Sequence, residues 1–341
     1  MEKKHVNPLR TLVTSGVIAA LLASFGAVNA AEIREQSFRF ASAQVNEHPF
    51  TMAGQRFAEV IAQKTGGKMK AKLYAAATLG GDAQVISSLQ GGTVDATFVT
   101  AGLISPMDKN FGIFYLPMTF QTPEQADKVV DGPFGKKLLD RLANQNLVGL
   151  AWWEHGYRDV SNSKRPITKL EDFQGLKLRT IQIPIIVDIY KALGANPVPL
   201  AWTEVYTALE VRAVDGQETA IPSFNGARLA EVQKYLSLTN VVYDPLIVLF
   251  SKKTWDRLNP DEQKVVMEAA QDATIYQRKI NREVIDSVTK SPKGGLAVNE
   301  VSAAEKKRMR ERVQPVIDAY SKDFDPQLLK EFWSELAKAQ K

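Results

Sequence analysis

Five segments decide the fold of this chain: SFRFAS at 37–42, PFTMAGQRFAEVIAQKTGG at 49–67, KMKAKLY at 68–74, DAQVISSLQGG at 82–92 and VDATFVT at 94–100. The first and third alternate apolar and polar residues with the period of two that is typical of strands. The second and fourth have helical spacing, and each ends at a pair of glycines. Strand and helix therefore alternate, which predicts the α/β fold class with a mostly parallel sheet covered by helices.

A second α/β unit begins near residue 157. Strands are predicted at 177–181 and 196–200, and helices at 184–193 and 203–211. At an offset of 120 residues, the pattern Val-x3-Leu-x4-Val-Asp of residues 85–95 recurs at residues 205–215. The recurrence indicates an internal repeat, or it reflects the spacing shared by any helix that leads into a strand.

A long helix is predicted from the segment Asn259-Pro260-Asp261-Glu262, which has an N-cap Asn, Pro at the first helical position and a carboxylate three residues after the cap. No Gly or Pro follows before Pro292. A helix of about 30 residues would be about 45 Å long, so we expect it to lie across two lobes. The alternative is two shorter helices.

These elements predict a two-lobed protein with a ligand cleft between the lobes. Lobe I is expected at 31–154, with 244–280 returning to it, and lobe II at 155–243, with 281–341 packing on it. The long helix, at about 260–291, spans both.

The first 30 residues have the features of a secretory signal peptide. Basic residues precede the uncharged, mostly apolar run 12–27, and small residues at 28 and 30, three and one residues before the cut, favour cleavage after Ala30. The alternative, a membrane anchor, is disfavoured because the run is shorter than the roughly 20 apolar residues of a span. The mature protein is therefore expected in the periplasm.

Composition excludes several kinds of site. The chain has 341 residues, no Cys, and 43 Lys or Arg against 38 Asp or Glu, a net charge of +5 that falls to +3 without residues 1–30. The absence of Cys excludes disulfides, thiolate metal sites and a cysteine nucleophile. With only three His, no dense imidazole metal site is expected, and no cofactor is predicted. The net positive charge is small and dispersed along the chain, so it does not indicate nucleic-acid binding.

Catalytic signatures are missing from the sequence. There is no Gly-x-Ser-x-Gly elbow, no His-Glu-x-x-His, no phosphate loop and no Gly-x-Gly-x-x-Gly. The chain is predicted not to be an enzyme. An exported hydrolase is kept as the alternative from a different functional class.

Cationic and aromatic residues gather where strands are expected to end. Arg158 closes the run Trp152–Arg158 after the strand predicted at 147–153, and Arg179 lies near the end of its strand. Ligands of open α/β sheets bind beyond the carboxyl ends of strands, and the arginine fork suits a carboxylate. Each arginine could instead form an ordinary ion pair.

Four further side chains are candidates for an apolar slot: Trp153, Glu154, Trp202 and Phe224. The slot would hold an aromatic acid, or it would stack on a sugar acid while Glu154 accepts hydrogen bonds from hydroxyls. For the tryptophans, simple core packing is the alternative.

Several segments, in the same order along the chain, resemble those of the DctP-type solute-binding proteins of tripartite ATP-independent periplasmic (TRAP) transporters. The matching segments are His48-Pro49, LGG at 79–81, GGTVD at 91–95, FYLP at 114–117, Gly156-Tyr157-Arg158, NSKRPI at 162–167, LEDFQGLKLR at 170–179, ALGANPVP at 192–199, VYTALE at 205–210 and VDGQE at 214–218. They span nearly all of the mature chain. The resemblance implies two lobes, a cleft between them and a long bracing helix.

The resemblance also implies site residues. The family's main carboxylate-binding arginine falls on Arg179, and a second ligand contact falls on Arg158. Thr219 stands where the family commonly has an Asn that contacts the ligand, and Val241 stands where a His is frequent, so the identity of the ligand is left open. His48 and Glu218, in matching segments, complete the candidate ligand-binding set.

The predicted function is capture of a small organic acid, with a sugar acid as one option, and its delivery to an integral-membrane TRAP permease. A monomer is expected. The alternatives are an exported hydrolase, the binding component of an ATP-driven importer, and a ligand-presenting partner of a chemoreceptor.

Overall fold

The computed structural model describes residues 1–2 and 32–340. Apart from its first two residues, the predicted signal peptide lies outside the described residues, and cleavage after Ala30 stays a prediction. The described residues from Ile33 onward form one compact unit, and the fold described below is that of this unit. No helix of the described residues combines the length and the apolar character that crossing a membrane requires.

The strands of the described residues are β1 Gln36–Ala41, β2 Met69–Tyr74, β3 Ala96–Thr100, β4 Leu147–Asn162, β5 Lys177–Thr180, β6 Asn196–Pro199, β7 Gly216–Ala220, β8 Tyr235–Ser251 and β9 Ala297–Glu300. The helices are α1 Pro49–Lys64, α2 Asp82–Gly91, α3 Pro123–Val130, α4 Pro133–Arg141, α5 Pro184–Leu193, α6 Val205–Glu210, α7 Ile221–Gly226, α8 Lys252–Trp255, α9 Pro260–Lys290, α10 Ala303–Arg312, α11 Gln314–Ser321 and α12 Pro326–Ala339. The α/β fold class is thus confirmed.

The sheet has the order β2-β1-β3-β8-β4-β7-β5-β6, with β9 also paired to β8. Its two ends are parallel, as predicted, but β3–β8, β8–β4 and β4–β7 are antiparallel. The prediction of a mostly parallel sheet is therefore wrong at the centre. The cause is the length of β4 and β8, which have 16 and 17 residues and pair with each other along the middle of the molecule.

The pairing of β4 with β8 is irregular. Its register shifts between Gly149 and Ala151, between Glu154 and Gly156, and between Arg158 and Val160. Such bulges bend a strand and re-aim its side chains, and they are common next to binding sites. Because β4 continues to Asn162, the run that ends in Arg158 lies inside a strand, which corrects the prediction that it follows one.

The predicted repeat is supported by matching contacts. Strands β3 and β7 begin at residues 96 and 216, the same offset of 120, and each follows a helical segment. Asp95 Oδ2 accepts a hydrogen bond of 2.8 Å from the backbone N–H of Arg39, and Asp215 Oδ2 accepts one of 3.0 Å from the backbone N–H of Lys177. Each aspartate therefore ties its strand to the neighbouring strand, which spacing alone would not require.

The long helix is confirmed as one uninterrupted helix of 31 residues, α9, and the alternative of two helices is wrong. Asn259 and Glu262 form the predicted capping box at its start. Further along, the Gln277 side chain accepts a hydrogen bond from Glu154 N at 2.9 Å and donates one to Glu154 O at 2.7 Å, so α9 is fastened to the middle of β4.

Three apolar clusters cover the sheet. The first contains residues of the helices α2 through α5 and α10 through α12. The second contains residues of α1, α9, β1, β3 and β8. The third contains residues of α6, α7, β8 and β9. The lobe boundaries at 31–154 and 155–243 stay a prediction.

Candidate ligand-binding site

A cavity of about 280 Å³ lies where the carboxyl ends of β3, β5 and β7 meet the middle of β4. Its walls come from residues 43–44 after β1, 81–84 at the start of α2, and 200–203 after β6. This is the edge of the sheet at which the sequence predicts a ligand. The volume is near the lower end of the roughly 300–1,000 Å³ of small-molecule sites.

Arg179 is buried in the wall of this cavity, with 1% of its surface exposed. Its Nε and Nη2 donate to Leu200 O at 3.1 and 2.7 Å, and its guanidinium carbon lies 5.8 Å from the centre of the Trp202 ring. Among the described residues, Nη1 has no hydrogen-bond partner. Burial lowers the pKa of Arg179 to about 10, so the group stays charged at neutral pH.

Arg158 also lines the cavity, but buried carboxylates already occupy most of its donors. Its Nε and Nη2 donate to Glu218 at 2.5 and 2.9 Å, and its Nη1 donates to Asp244 Oδ2 at 2.6 Å. Burial opposes the charge, yet Glu218 and Asp244 outweigh it and raise the pKa of Arg158. This guanidinium therefore holds the wall of the site together.

Glu218 lies behind the cavity wall and is fully buried. Besides the two bonds from Arg158, its Oε1 accepts a hydrogen bond of 2.8 Å from the backbone N–H of Ile181. The carboxylate thus ties β4, β7 and the segment after β5 to each other, and it positions the site without lining it.

A polar chain missed by the sequence analysis runs from Asp244 to the cavity. Asp244 accepts hydrogen bonds from Thr100, Tyr115 and Arg158, and its Oδ2 lies 2.9 Å from His155 Nδ1. Burial alone would raise the pKa of Asp244, but the contacts with His155 and Arg158 lower it below its usual range. His155 Nε2 lies 2.8 Å from Ser223 Oγ, and both His155 and Ser223 line the cavity.

The chain Ser223–His155–Asp244 has the spacing of a nucleophile, a base and an orienting carboxylate. It differs from a catalytic triad in the surroundings of the carboxylate. The carboxylate of Asp244 is also neutralised by Arg158 at 2.6 Å, so it has less negative charge to offer an imidazolium.

Asp82, also missed, brings a negative charge to the cavity at the first residue of α2. Gly80 makes the turn before it possible, because its φ is +105°, a conformation that residues with a side chain rarely adopt. Burial raises the pKa of Asp82 to about 6, and the charge of Arg179 opposes this increase.

Comparison with known proteins assigns this chain to a family. The sequence profile DctP, described as bacterial extracellular solute-binding protein family 7, matches residues 40–323. The chain belongs to this family. In Escherichia coli K12, the 2,3-diketo-L-gulonate-binding periplasmic protein YiaO is 36% identical over 78% of this chain and 81% of its own length.

Solved structures of TRAP solute-binding proteins share the fold. The sugar acid binding protein DctPAm of Advenella mimigardefordensis, solved with galactonate, has a TM-score of 0.86 and 37% identity over 90% of this chain and 99% of its own. A TRAP solute-binding protein of Ochrobactrum anthropi, with its C-terminus in the ligand pocket, has a TM-score of 0.81 and 44% identity over 91% and 97%. This DctP-family chain is therefore a TRAP solute-binding protein.

Four of the nine candidate residues line the cavity of this DctP-family protein: Arg158, Arg179, Trp202 and Thr219. Trp153 instead packs on Phe98 at 5.4 Å and donates to Thr274 Oγ1, and Phe224 belongs to the third apolar cluster. The four residues Trp153, Glu154, Trp202 and Phe224 do not form the expected slot, because the side chains of Trp153 and Glu154 bond to α9.

Glu154 faces the long helix of the DctP-family fold. Its carboxylate pairs with Arg282 at 2.6 Å and accepts a hydrogen bond of 3.1 Å from Asn281. Burial raises the pKa of Glu154, whereas Arg282 opposes the increase. Glu154 therefore anchors α9 to β4 and does not reach the cavity.

His48 caps α1 outside the cavity lining. Its Nδ1 accepts a hydrogen bond of 3.1 Å from the backbone N–H of Phe50, which itself lines the cavity. Burial and the nearby His155 lower the pKa of His48 well below its usual value, so the imidazole is neutral. Among the described residues, no group of three or more His, Asp or Glu side chains is arranged to hold a metal ion.

Proposed function

We propose that this protein captures a small organic acid of the sugar-acid class in the cavity beside Arg179 and delivers it to an integral-membrane TRAP permease. The observation that carries the proposal is the free Nη1 of a buried, charged guanidinium. The ligands of two relatives support the class, since one is described as binding galactonate and the other 2,3-diketo-L-gulonate.

The guanidinium is oriented before any ligand arrives. Arginine has about five N–H donors, and the two bonds to Leu200 O leave about three of them, including both on Nη1. The Nη1–Nη2 edge can therefore bind a carboxylate through two parallel hydrogen bonds. Since Leu200 and Trp202 already hold the side chain, little rotamer entropy is lost on binding.

Calorimetric titration with D-galactonate, D-gluconate and D-erythronate tests the proposal. Arg179→Ala should weaken binding by about 2 to 5 kcal/mol, or roughly 30-fold to several-thousand-fold. Arg179→Lys should also bind poorly, because it keeps the charge but loses the planar fork. The matched control is Arg56→Ala on α1, whose partner Asp272 lies on α9 away from the cavity.

Affinity of folded Arg179→Ala within about threefold of the wild type would remove Arg179 from the site. Thr219→Asn, at the position where the family commonly has Asn, should change the preference among acids more than it weakens all of them.

The chain Ser223–His155–Asp244 favours one second candidate, an exported hydrolase. We expect no turnover, because Arg158 neutralises Asp244. Incubation with galactono-1,4-lactone and p-nitrophenyl acetate decides between the two. Hydrolysis that is abolished in Ser223→Ala would establish the hydrolase, whereas recovery of both compounds unchanged supports binding without chemistry.

The cellular context is part of the proposal. Membership of the DctP family favours a TRAP permease over an ATP-driven importer as the partner. N-terminal sequencing of protein exported to the periplasm should begin at Ala31. Light scattering after size exclusion should give the mass of a monomer.

A further inference from the structure

We infer that Asp82 and Ser223 are specificity-determining residues that select acids with one carboxylate and several hydroxyls and reject acids with a second carboxylate. The inference rests on the proposed function, in which Arg179 holds the carboxylate. It adds which chemical groups the ligand carries beyond the carboxylate at Arg179.

The first argument is the charge of the cavity wall. Arg158 and Arg179 are the arginines of this wall, and the described wall contains no lysine. Arg158 already pairs with two fully buried carboxylates, those of Glu218 and Asp244. One cation, Arg179, is thus available to a ligand, and a single carboxylate matches it.

Asp82 makes a second carboxylate unfavourable. It lines the same cavity as Arg179, and among the described residues it forms no ion pair or hydrogen bond with a cation, although the charge of Arg179 reaches it. A diacid bound to Arg179 would bring its other carboxylate into a small cavity that has no further available cation. Like charges brought together in a desolvated site repel strongly, whereas a carboxylate readily accepts hydrogen bonds from hydroxyls.

The second argument is the direction of the hydrogen bond at Ser223. Asp244 Oδ2 already accepts a hydrogen bond from Arg158 Nη1, so this oxygen carries no proton, and His155 Nδ1 is the donor in its contact with Oδ2. In the tautomer that carries its proton on Nδ1, Nε2 is an acceptor, and Ser223 Oγ, 2.8 Å away, is the donor to it. The lone pairs of Ser223 Oγ are left to accept a hydrogen bond from a ligand hydroxyl.

The hydroxyl oxygen of Thr100 is likewise available to a ligand only as a hydrogen-bond acceptor. It lines the cavity, and its hydroxyl donates to Asp244 Oδ1, so its oxygen has only acceptor capacity left. The polar groups of Asp82, Ser223 and Thr100 are therefore all acceptors. Ligand hydroxyls complement such a wall, whereas a second carboxylate, which is itself an acceptor, does not.

The test uses pairs of acids that differ only at one end, where a hydroxymethyl group is replaced by a carboxylate. The pairs are D-galactonate with galactarate, D-gluconate with D-glucarate, and D-erythronate with meso-tartrate. Calorimetric titration measures the affinity ratio within each pair for the wild type, Asp82→Asn, Asp82→Ala, Ser223→Ala and Arg179→Ala. The control is Asp140→Asn, an exposed carboxylate on α4.

The wild type should prefer the monoacid of its best pair by about 30-fold or more, since like-charge juxtaposition is costly. Both Asp82 variants should reduce this ratio by about tenfold or more, mainly through tighter binding of the diacid. Ser223→Ala should weaken monoacid binding by about three- to tenfold, the loss of one hydrogen bond. Asp140→Asn should leave all ratios unchanged.

Two failures are distinguishable. If Arg179→Ala binds the monoacids as the wild type does, or if the wild type binds none of the acids, the proposed function fails and this inference fails with it. If Arg179→Ala loses binding but folded Asp82→Asn and Asp82→Ala keep the wild-type ratio within about twofold, only the inference is overturned. Equal binding of monoacid and diacid by the wild type also overturns it.

Discussion

Arg158 and Arg179 are both buried beside the cavity, yet their partners differ. Arg158 pairs with Glu218 and Asp244, whereas Arg179 has no ion pair among the described residues. Arg158→Ala should therefore lower the free energy of unfolding by about 3 to 5 kcal/mol, because two buried carboxylates lose their cation. Arg179→Ala should leave the stability of the ligand-free protein nearly unchanged.

Urea unfolding without ligand measures both variants, and each serves as the control for the other. A large loss of stability in Arg179→Ala together with a small loss in Arg158→Ala would reverse the two roles.

Binding should be coupled to proton uptake by Asp82. Its pKa is raised to about 6 by burial, so Asp82 is a charged acceptor at about pH 8, whereas near pH 6 the negative charge of a bound acid favours its protonated form and a proton is taken up. Affinity should then increase as the pH falls from about 8 to about 6, and decrease again below the ligand's own pKa near 4. The other charged or titratable groups facing the cavity are Arg179 on β5 and Arg158 and His155 on β4, behind which lie Glu218 and Asp244.

Calorimetry at about pH 6.5 in two buffers of different ionisation enthalpy counts the protons taken up. Uptake should disappear in Asp82→Asn. The same uptake in wild type and variant would assign the coupling to another group.

At the scale of elements, the junction of β4 and β8 contains Asp159, another carboxylate with a raised pKa. Asp159 is 2% exposed beside the register shift after Arg158, and its Oδ1 accepts a hydrogen bond from the backbone N–H of Asn240, whose φ is +49°. Burial raises the pKa of Asp159 to about 7. The folded state therefore binds this proton more tightly than the unfolded state, and stability should fall as the pH rises from about 4 to about 7.

Asp159→Asn can keep the bond to Asn240 without the charge. Its melting temperature should be close to that of the wild type at about pH 5 and higher than that of the wild type at about pH 8. Thermal melts at both pH values measure this, with Asp140→Asn as the exposed control. A variant that is less stable than the wild type at both values would show that the charge stabilises the junction.

The sequence predicts α1, α2, α5, α6 and α9 and the short parallel strands well, because local spacing and capping residues define them. The start of α9 at Asn259 and the strand β5 are examples. The sequence does not reveal β8, because Asp244 and Pro245 interrupt its apolar run and a central strand rarely contains Pro. In the structure Pro245 is tolerated because it lies next to a register shift, opposite Glu154.

The sequence predicts the site only in part, as it does the fold. Arg179 lies at the end of a recognisable strand and matches a family motif. Asp82, His155 and Ser223 come from distant segments, and no sequence spacing joins them. The missed β8 also carries Asp244, the carboxylate that orients His155, so the polar chain could not be inferred.

At the scale of the whole molecule, the cavity is bounded by segments from both halves of the sheet, with β4 and β8 passing between them. Ligand should close the two predicted lobes about these strands, as is usual in periplasmic binding proteins. Small-angle scattering with saturating D-galactonate should give a smaller radius of gyration than the free protein. Arg179→Ala with the same ligand is the control and should not contract, and an unchanged profile of the wild type would argue against closure.

A crystal structure of the protein with the tightest-binding aldonate is the most direct measurement of how the acid is held. One carboxylate should lie on the Nη1–Nη2 edge of Arg179, with hydroxyls directed to Asp82 and Ser223. An acid in the cavity whose carboxylate binds elsewhere, with Nη1 of Arg179 still free of a partner, would contradict carboxylate capture by this residue.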